Sequence, residues 1–179
     1  MVLRGPAVWE QHFLDELSSY IGFSAEHAAC LKRAGPHVQP KFNAIVDRFY
    51  EAIFASPRVS AVFTGGHAQV ERQKALLTTW MTGLFGGVYD ADYIRLRARI
   101  GRTHVRIRLD QRYMFSAMNL VRCGLHDALA EAALDAAERR LAHESVDKIC
   151  DLELAVMLET YAEDHLSRMR DAERLATLG

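Results

Sequence analysis

Apolar positions recur at three- and four-residue intervals along almost the whole chain. No segment alternates apolar with polar residues between turn signals, so the pattern predicts an all-α fold. Trp9, Phe13, Leu17 and Tyr20 stand at i, i+4, i+8 and i+11, one stripe of a first helix from about Ala7 to Tyr20 that Ile21-Gly22-Phe23 interrupts. Ser24 is placed to cap a short second helix through Arg33, which Gly35-Pro36 closes. Pro40 suits the first turn of a third helix, whose Phe42, Ile45, Val46, Phe49, Tyr50 and Ile53 make a wide apolar face ending near Ser56-Pro57. A short piece with Val59, Val62 and Phe63 ends at Gly65-Gly66. The next helix, from about Ala68 to Phe85, sets Gln73, Leu76, Leu77, Trp80 and Leu84 on one face before Gly86-Gly87 stops it.

Asp90 or Asp92 can cap a helix reaching about Ile107, with Tyr93, Ile100, His104 and Ile107 on an apolar face and arginines on the other. Asp110 is the N-cap of the following helix, to about Leu134, and Leu109 is placed to staple onto Met114. Asp135, with Glu138 three residues on, opens a last helix that meets no Gly or Pro before Leu178. Its two stripes, Ile149, Leu152, Val156 and Leu154, Met157, Leu158, Tyr161, predict burial against its own domain on one side and against another chain on the other.

Composition narrows the class. A chain of 179 residues suits one domain, half its residues are hydrophobic and only four are proline, which sets it apart from disordered and fibrous chains. The formal net charge of -1 speaks against a nucleic-acid binder, which needs a basic excess to neutralise phosphates. Cys30, Cys123 and Cys150 are odd in number and widely spaced, so neither a disulfide framework nor a zinc site is expected and a reducing cytoplasm fits best. Residues Met1 to Trp9 lack a signal-peptide core and no stretch approaches the roughly 18 apolar residues of a membrane span.

Most chemical signatures are absent: the chain has no H-E-x-x-H, Glu-x-x-His, G-x-S-x-G, Walker A or G-x-G-x-x-G pattern. Catalysis within this segment is therefore not expected. Among eight histidines, His104 stands apart because it lies on the apolar face of its helix. Gly101, one turn earlier, would let a flat ligand or another helix approach closely. A core histidine hydrogen-bonded to a carbonyl is the plainer reading of the same pattern.

Tyr89-Asp-Ala-Asp-Tyr93, Ile100-Gly-Arg-Thr-His104-Val-Arg-Ile107 and Tyr113 resemble the proximal-histidine region of globin-coupled sensors, bacterial haem proteins in which a globin domain controls a signalling output. Tyr20-Ile-Gly-Phe-Ser24, Val46-Asp-Arg-Phe-Tyr50 and Leu84-Phe-Gly-Gly87 sit in the family's order and at about its spacings, so the resemblance spans nearly the whole chain. It implies a globin-like fold with an additional N-terminal helix, no separate D helix and a long C-terminal helix. It further implies haem b between the Ala68 to Phe85 helix and the His104 helix, with His104 as iron ligand. Phe63 matches the aromatic that packs on haem, although ordinary core packing explains it equally well. Tyr50 matches the distal tyrosine: a phenol stays protonated at neutral pH and can donate to a partly negative diatomic ligand, favouring O2 over CO. Gln73 is a weaker second donor, with Leu76 and Leu77 as apolar walls. Phe49, Ile100 and Met114 complete the expected haem contacts, and Phe42, Trp80 and Met118 are read as core or haem-contact surface.

Ala172-Glu-Arg-Leu-Ala-Thr-Leu-Gly179 resembles the stretch before the phospho-accepting histidine of dimeric histidine kinases. Residues 1–170 are accordingly expected to form the sensor and 171–179 to begin a linker. The last two helices, roughly Asp110 to Leu134 and Asp135 to Met169, are the expected homodimer interface. The ligand is expected to be O2, with CO and NO as alternatives. A haem-free globin-fold interaction sensor, a globin dioxygenase or peroxidase, and a plain helical dimerisation module remain the competing readings.

Overall fold

A computed structural model describes residues 6–176, with side chains described from Trp9 onward. Those residues form eight α-helices and one 3-10 turn, with no strand among them: α1 (Pro6–Ile21), α2 (Ala25–Val38), the turn (Gln39–Lys41), α3 (Phe42–Phe54), α4 (Pro57–Ser60), α5 (Gly66–Leu84), α6 (Ala91–Arg106), α7 (Gln111–Glu131) and α8 (Ala136–Ala176). The expected all-α architecture, extra first helix and long last helix are present.

Local chemistry sets most boundaries. α1 ends at Gly22, whose φ of 67° turns the chain so that Phe23 N–H reaches back to Ser18 O at 2.8 Å. Asp90 caps α6 by accepting from Tyr93 N–H at 2.9 Å. Asp135 caps α8, its carboxylate taking the N–H groups of Ala137 and Glu138 at 2.9 and 2.8 Å. Glu138 ion-pairs with Arg33 at 2.6 Å.

Two boundaries depart from the sequence expectation. α2 does not stop at Gly35-Pro36 but runs to Val38 with Pro36 inside it. Gly35 stays helical because it is buried against α5's end: a Cβ there would lie 3.1 Å from that of Phe85, and Val38, fully buried one turn on, draws the helix onward into the core. α7 ends at Glu131, three residues short of Leu134, and its N-cap Asp110 makes no capping hydrogen bond, its carboxylate pairing instead with Arg112 at 3.5 Å.

α8 is the spine. It packs along α6, α7 and α2, while α1 lies on α6 and α3 lies on α5 and α7. One contiguous core joins α2, α3, α5, α7 and α8 through residues such as Leu31, Phe42, Met81, Leu125 and Ile149. A smaller cluster of Leu14, Ile94, Ala98 and Val156 seats α1 and α6 on α8. Both apolar stripes of α8 turn inward within this one chain, since Leu152, Val156, Leu154 and Met157 are all buried. The expectation that one stripe waits for another chain is therefore corrected: α8 is surrounded by α2, α6 and α7 between about residues 142 and 160, leaving Leu158 as that stripe's exposed member. After Tyr161 the helix is largely solvent-facing, with Leu166, Met169 and Leu175 exposed. No helix among the described residues is long and apolar enough to cross a membrane.

Candidate functional site

Tyr50 closes the C-terminal half of α3 and is buried, 5% exposed, in an aromatic corner. The rings of Phe49, Phe63 and Phe54 stand 5.4, 5.9 and 6.2 Å from it, and Phe54 meets Phe63 at 5.7 Å. Phe63 is carried there by the short α4 and the turn that follows. This apolar surround pushes the Tyr50 phenol up to about 12, so it is held as a proton donor at any physiological pH. Lys74 of α5 ties α3 to α5 across the Tyr50 ring: its ammonium is 6.0 Å from the ring centre and 2.8 Å from Asp47.

Leu77 is half-buried against the same core, as are Phe49 and Ile100, and Met114 of α7 is fully within it. Gln73 and Leu76 depart from expectation: both are exposed, Leu76 by 59%. The reason is helical phase. α5 turns Val70, Lys74, Leu77, Met81 and Leu84 toward α3 and the core, which rotates Gln73 and Leu76 onto the adjoining strip. α5 and α6 are not among the closely packed helix pairs, so this strip carries an apolar side chain that no neighbouring helix covers.

On α6, Tyr93, Arg97, Ile100, Gly101 and His104 form one stripe. His104 is half-buried, its Nδ1 is shielded from solvent, and that atom has no hydrogen-bond partner among the described residues. The hydrogen bond that a structural core histidine is expected to make is not found at this atom among the described residues. Burial holds the imidazole below its ordinary pKa, so the ring is neutral at pH 7 with a lone pair free on one nitrogen. Gly101 is the point of closest approach between α6 and α8: a Cβ there would lie 2.5 Å from Thr160 Oγ1. Ile107, expected on the inward face, is 45% exposed because α6 ends at Arg106 and the chain turns away.

The arginine face predicted for α6 also needs correction. Arg97 is buried, 3% exposed, and its Nε lies 2.8 Å from Oε1 of Glu153, a carboxylate of α8 that is itself 1% exposed. Tyr93 Oη donates to the same carboxylate, and Trp80 Nε1 on α5 donates to its other oxygen at 3.0 Å. The guanidinium lies 4.5 Å from the Tyr93 ring centre and donates through Nη2 to Trp80 O at 3.3 Å. Burial pushes Glu153 above the usual carboxylate range, against which Arg97 and the Tyr93 and Trp80 hydrogen bonds pull it down. Sequence reasoning missed this cluster. Its signal was a single charge at position 153 inside the apolar run 152–158.

A separate surface groove lies beside the α6–α7 turn, between Val105, Leu109 and Tyr161. It includes neither Tyr50, Phe63 nor His104. The candidate site thus comprises a neutral imidazole on α6, half-buried with an Nδ1 that is unpartnered among the described residues, and a phenol on α3 buried in an aromatic corner.

The Protoglobin family model matches residues 11–167. The haem-based aerotactic transducer HemAT of Halobacterium salinarum is 27% identical over 94% of this chain, and the chain spans 37% of that relative's length. The globin domain of a Geobacter sulfurreducens globin-coupled sensor is 29% identical, with a TM-score of 0.78 over 83% of this chain and 97% of that one. The ferric globin domain of E. coli DosC, 18% identical with a TM-score of 0.66 over 83% of this chain and 99% of that one, shares the fold. The helices therefore compose a globin fold, and the match across 11–167 means that the chain belongs to the Protoglobin family.

Proposed function

We propose that this domain is a haem-based gas sensor, with O2 as its ligand and His104 as the protein ligand to iron. The carrying observation is the half-buried, neutral imidazole whose shielded Nδ1 meets no partner among the described residues, which leaves the ring with a free lone pair such as a metal ligand needs. The Tyr50 phenol, the apolar rings around it and the uncovered strip of α5 fit a flat apolar group with one polar face to satisfy. Haem b, when bound, would supply an iron able to take a diatomic ligand.

The chain's own residues do the rest. His104 holds the group from α6. Phe49, Phe63, Leu77, Ile100 and Met114 exclude water and provide the contact surface. Tyr50 donates a hydrogen bond to a polar ligand and keeps its proton, because its pKa is far above physiological pH. Leu76 and Gln73 line the exposed edge of α5, Leu76 as apolar cover and Gln73 as a donor at the rim. CO, less polar, gains little from Tyr50, and NO lies between.

The segment itself is non-enzymatic and passes its state on as a homodimer through α7 and α8, whose exposed Phe115, Leu158, Leu166 and Met169 supply apolar surface for a second copy. Residues 1–170 constitute the sensor and the following stretch begins the link to a histidine kinase output. That link rests on the sequence from Ala172 to Gly179, of which 177–179 lie outside the described residues. Three unpaired cysteines suit a cytoplasmic setting.

Tyr50→Phe tests the gas-sensing role. Loss of one hydrogen bond to a partly charged acceptor, worth about 1.5 kcal/mol, is expected to raise the O2 dissociation rate roughly ten-fold and leave that of CO within about two-fold. Stopped-flow displacement measures both. An unchanged O2 rate would remove Tyr50 from the mechanism.

A further inference from the structure

Glu153 lies where three helices meet and receives a donor from each of the other two. From α6 come Tyr93 as a hydrogen-bond donor and Arg97 as an ion-pair partner, and from α5 comes Trp80 Nε1. α5 and α6 are the two helices flanking the proposed haem position, and α8 is the helix that runs on past the domain. The carboxylate therefore ties both flanks to the outgoing helix at one point.

Three features argue that this arrangement is more than packing. Buried ion pairs add little net stability, since their desolvation offsets their attraction and an apolar cluster of the same volume serves as well or better. The fold has nevertheless made room for this one: a Cβ on Gly83 of α5 would collide with Arg97 Nη2. The geometry is also demanding, because in a low-dielectric interior each donor must stay in place or leave a buried charge unmatched. A small displacement of α6 or α5 cannot be absorbed gradually at such a point; it must be followed by α8 or the bonds must exchange. Arg97 stands two helical turns before His104 on the same helix, close enough to move with it.

We propose that Glu153, with Arg97, Tyr93 and Trp80, is the coupling element that converts movement of the two haem-flanking helices into movement of α8. This rests on the haem-sensor reading. The four residues do not touch the gas ligand in this scheme; they act by positioning α8.

The test uses the full chain loaded with haem, compared in its ferrous and CO-saturated forms by hydrogen–deuterium exchange of the α8 amides. Wild type is expected to show a ligand-dependent difference in exchange along α8. Arg97→Met combined with Glu153→Met, which replaces the pair by apolar groups of similar length, is expected to keep the Soret band and CO affinity within about two-fold while that difference falls at least five-fold. Trp80→Phe, which removes only the α5 donor, is expected to reduce it at least two-fold and decides the matter if the double variant fails to fold. A purely structural role would alter exchange equally in both ligand states. A folded double variant, or in its absence Trp80→Phe, that retains the wild-type difference overturns the coupling role. So does a wild-type protein that binds CO with no response in α8, and that result leaves the haem reading intact. A wild-type protein that takes up no haem overturns both.

Discussion

Gly101→Leu is expected to cost the haem-free fold about 3 kcal/mol, and urea unfolding followed by far-ultraviolet circular dichroism reads it directly. The first added carbon would sit 2.5 Å from Thr160 Oγ1 and 2.9 Å from its Cγ2. Thr160 cannot step aside, because it is 3% exposed and its hydroxyl donates to Met157 O at 2.6 Å. α6 must then lift from α8, opening the contact that places His104. Gly101→Ala carries the same clash in a smaller form, offset by about 1 kcal/mol of helix propensity. Adding Thr160→Ala removes both of the closest atoms and is expected to restore the Gly101→Ala variant to wild-type stability or above. If Gly101→Leu unfolds at the wild-type urea concentration, the close α6–α8 approach is not a determinant of the fold.

Arg97→Met alone is expected to be more damaging than Arg97→Met combined with Glu153→Met. The single change strands a carboxylate that is 1% exposed, a loss of about 3–5 kcal/mol. Against a total stability of roughly 5–15 kcal/mol for such a domain, that is enough to leave much of the protein unfolded at elevated temperature. The double change removes both charges but leaves the Tyr93 and Trp80 donors without their acceptor, so its expected cost is about 2 kcal/mol, still below that of the single change. Thermal unfolding of the two variants orders them. Equal losses in both would mean that Glu153 finds other compensation and that the pair is not electrostatically closed.

The contrast between these two positions also shows what the sequence discloses. Gly101 was visible as a close-approach residue because a glycine on an apolar helix face gives up side-chain burial for room, although the neighbour that fills the room, Thr160, was not visible. Tyr50, Phe49, Ile100 and Met114 are legible as core-facing because periodicity fixes the buried face of a helix, whereas Phe63, on the turn after α4, is pointed out by the family resemblance. Periodicity failed where a charge is buried. Arg97 was assigned to the solvent face because arginine almost always goes there, and its partner is 56 positions away, beyond any local pattern. It fails again at Gln73 and Leu76, where α5 carries apolar residues on more than one side and packing against α3 and α8 decides the phase. Gly35-Pro36 misled for a third reason: a stop signal is a local preference, and burial of Gly35 and Val38 overrode it. The unpartnered His104 Nδ1 had no sequence signature at all, since pairing of a buried atom depends on every element that surrounds it.

Haem uptake by this chain depends, in the proposed function, on the neutral imidazole at position 104. Titration of the purified chain with haemin, followed by absorbance and set beside His104→Ala with circular dichroism to confirm that the variant is folded, tests it most directly. The account predicts a Soret band that saturates at one haem per chain in the wild type and is weakened or abolished in the variant. A wild-type chain that develops no Soret band, or a folded His104→Ala variant that binds haem with the same spectrum and stoichiometry, would contradict it.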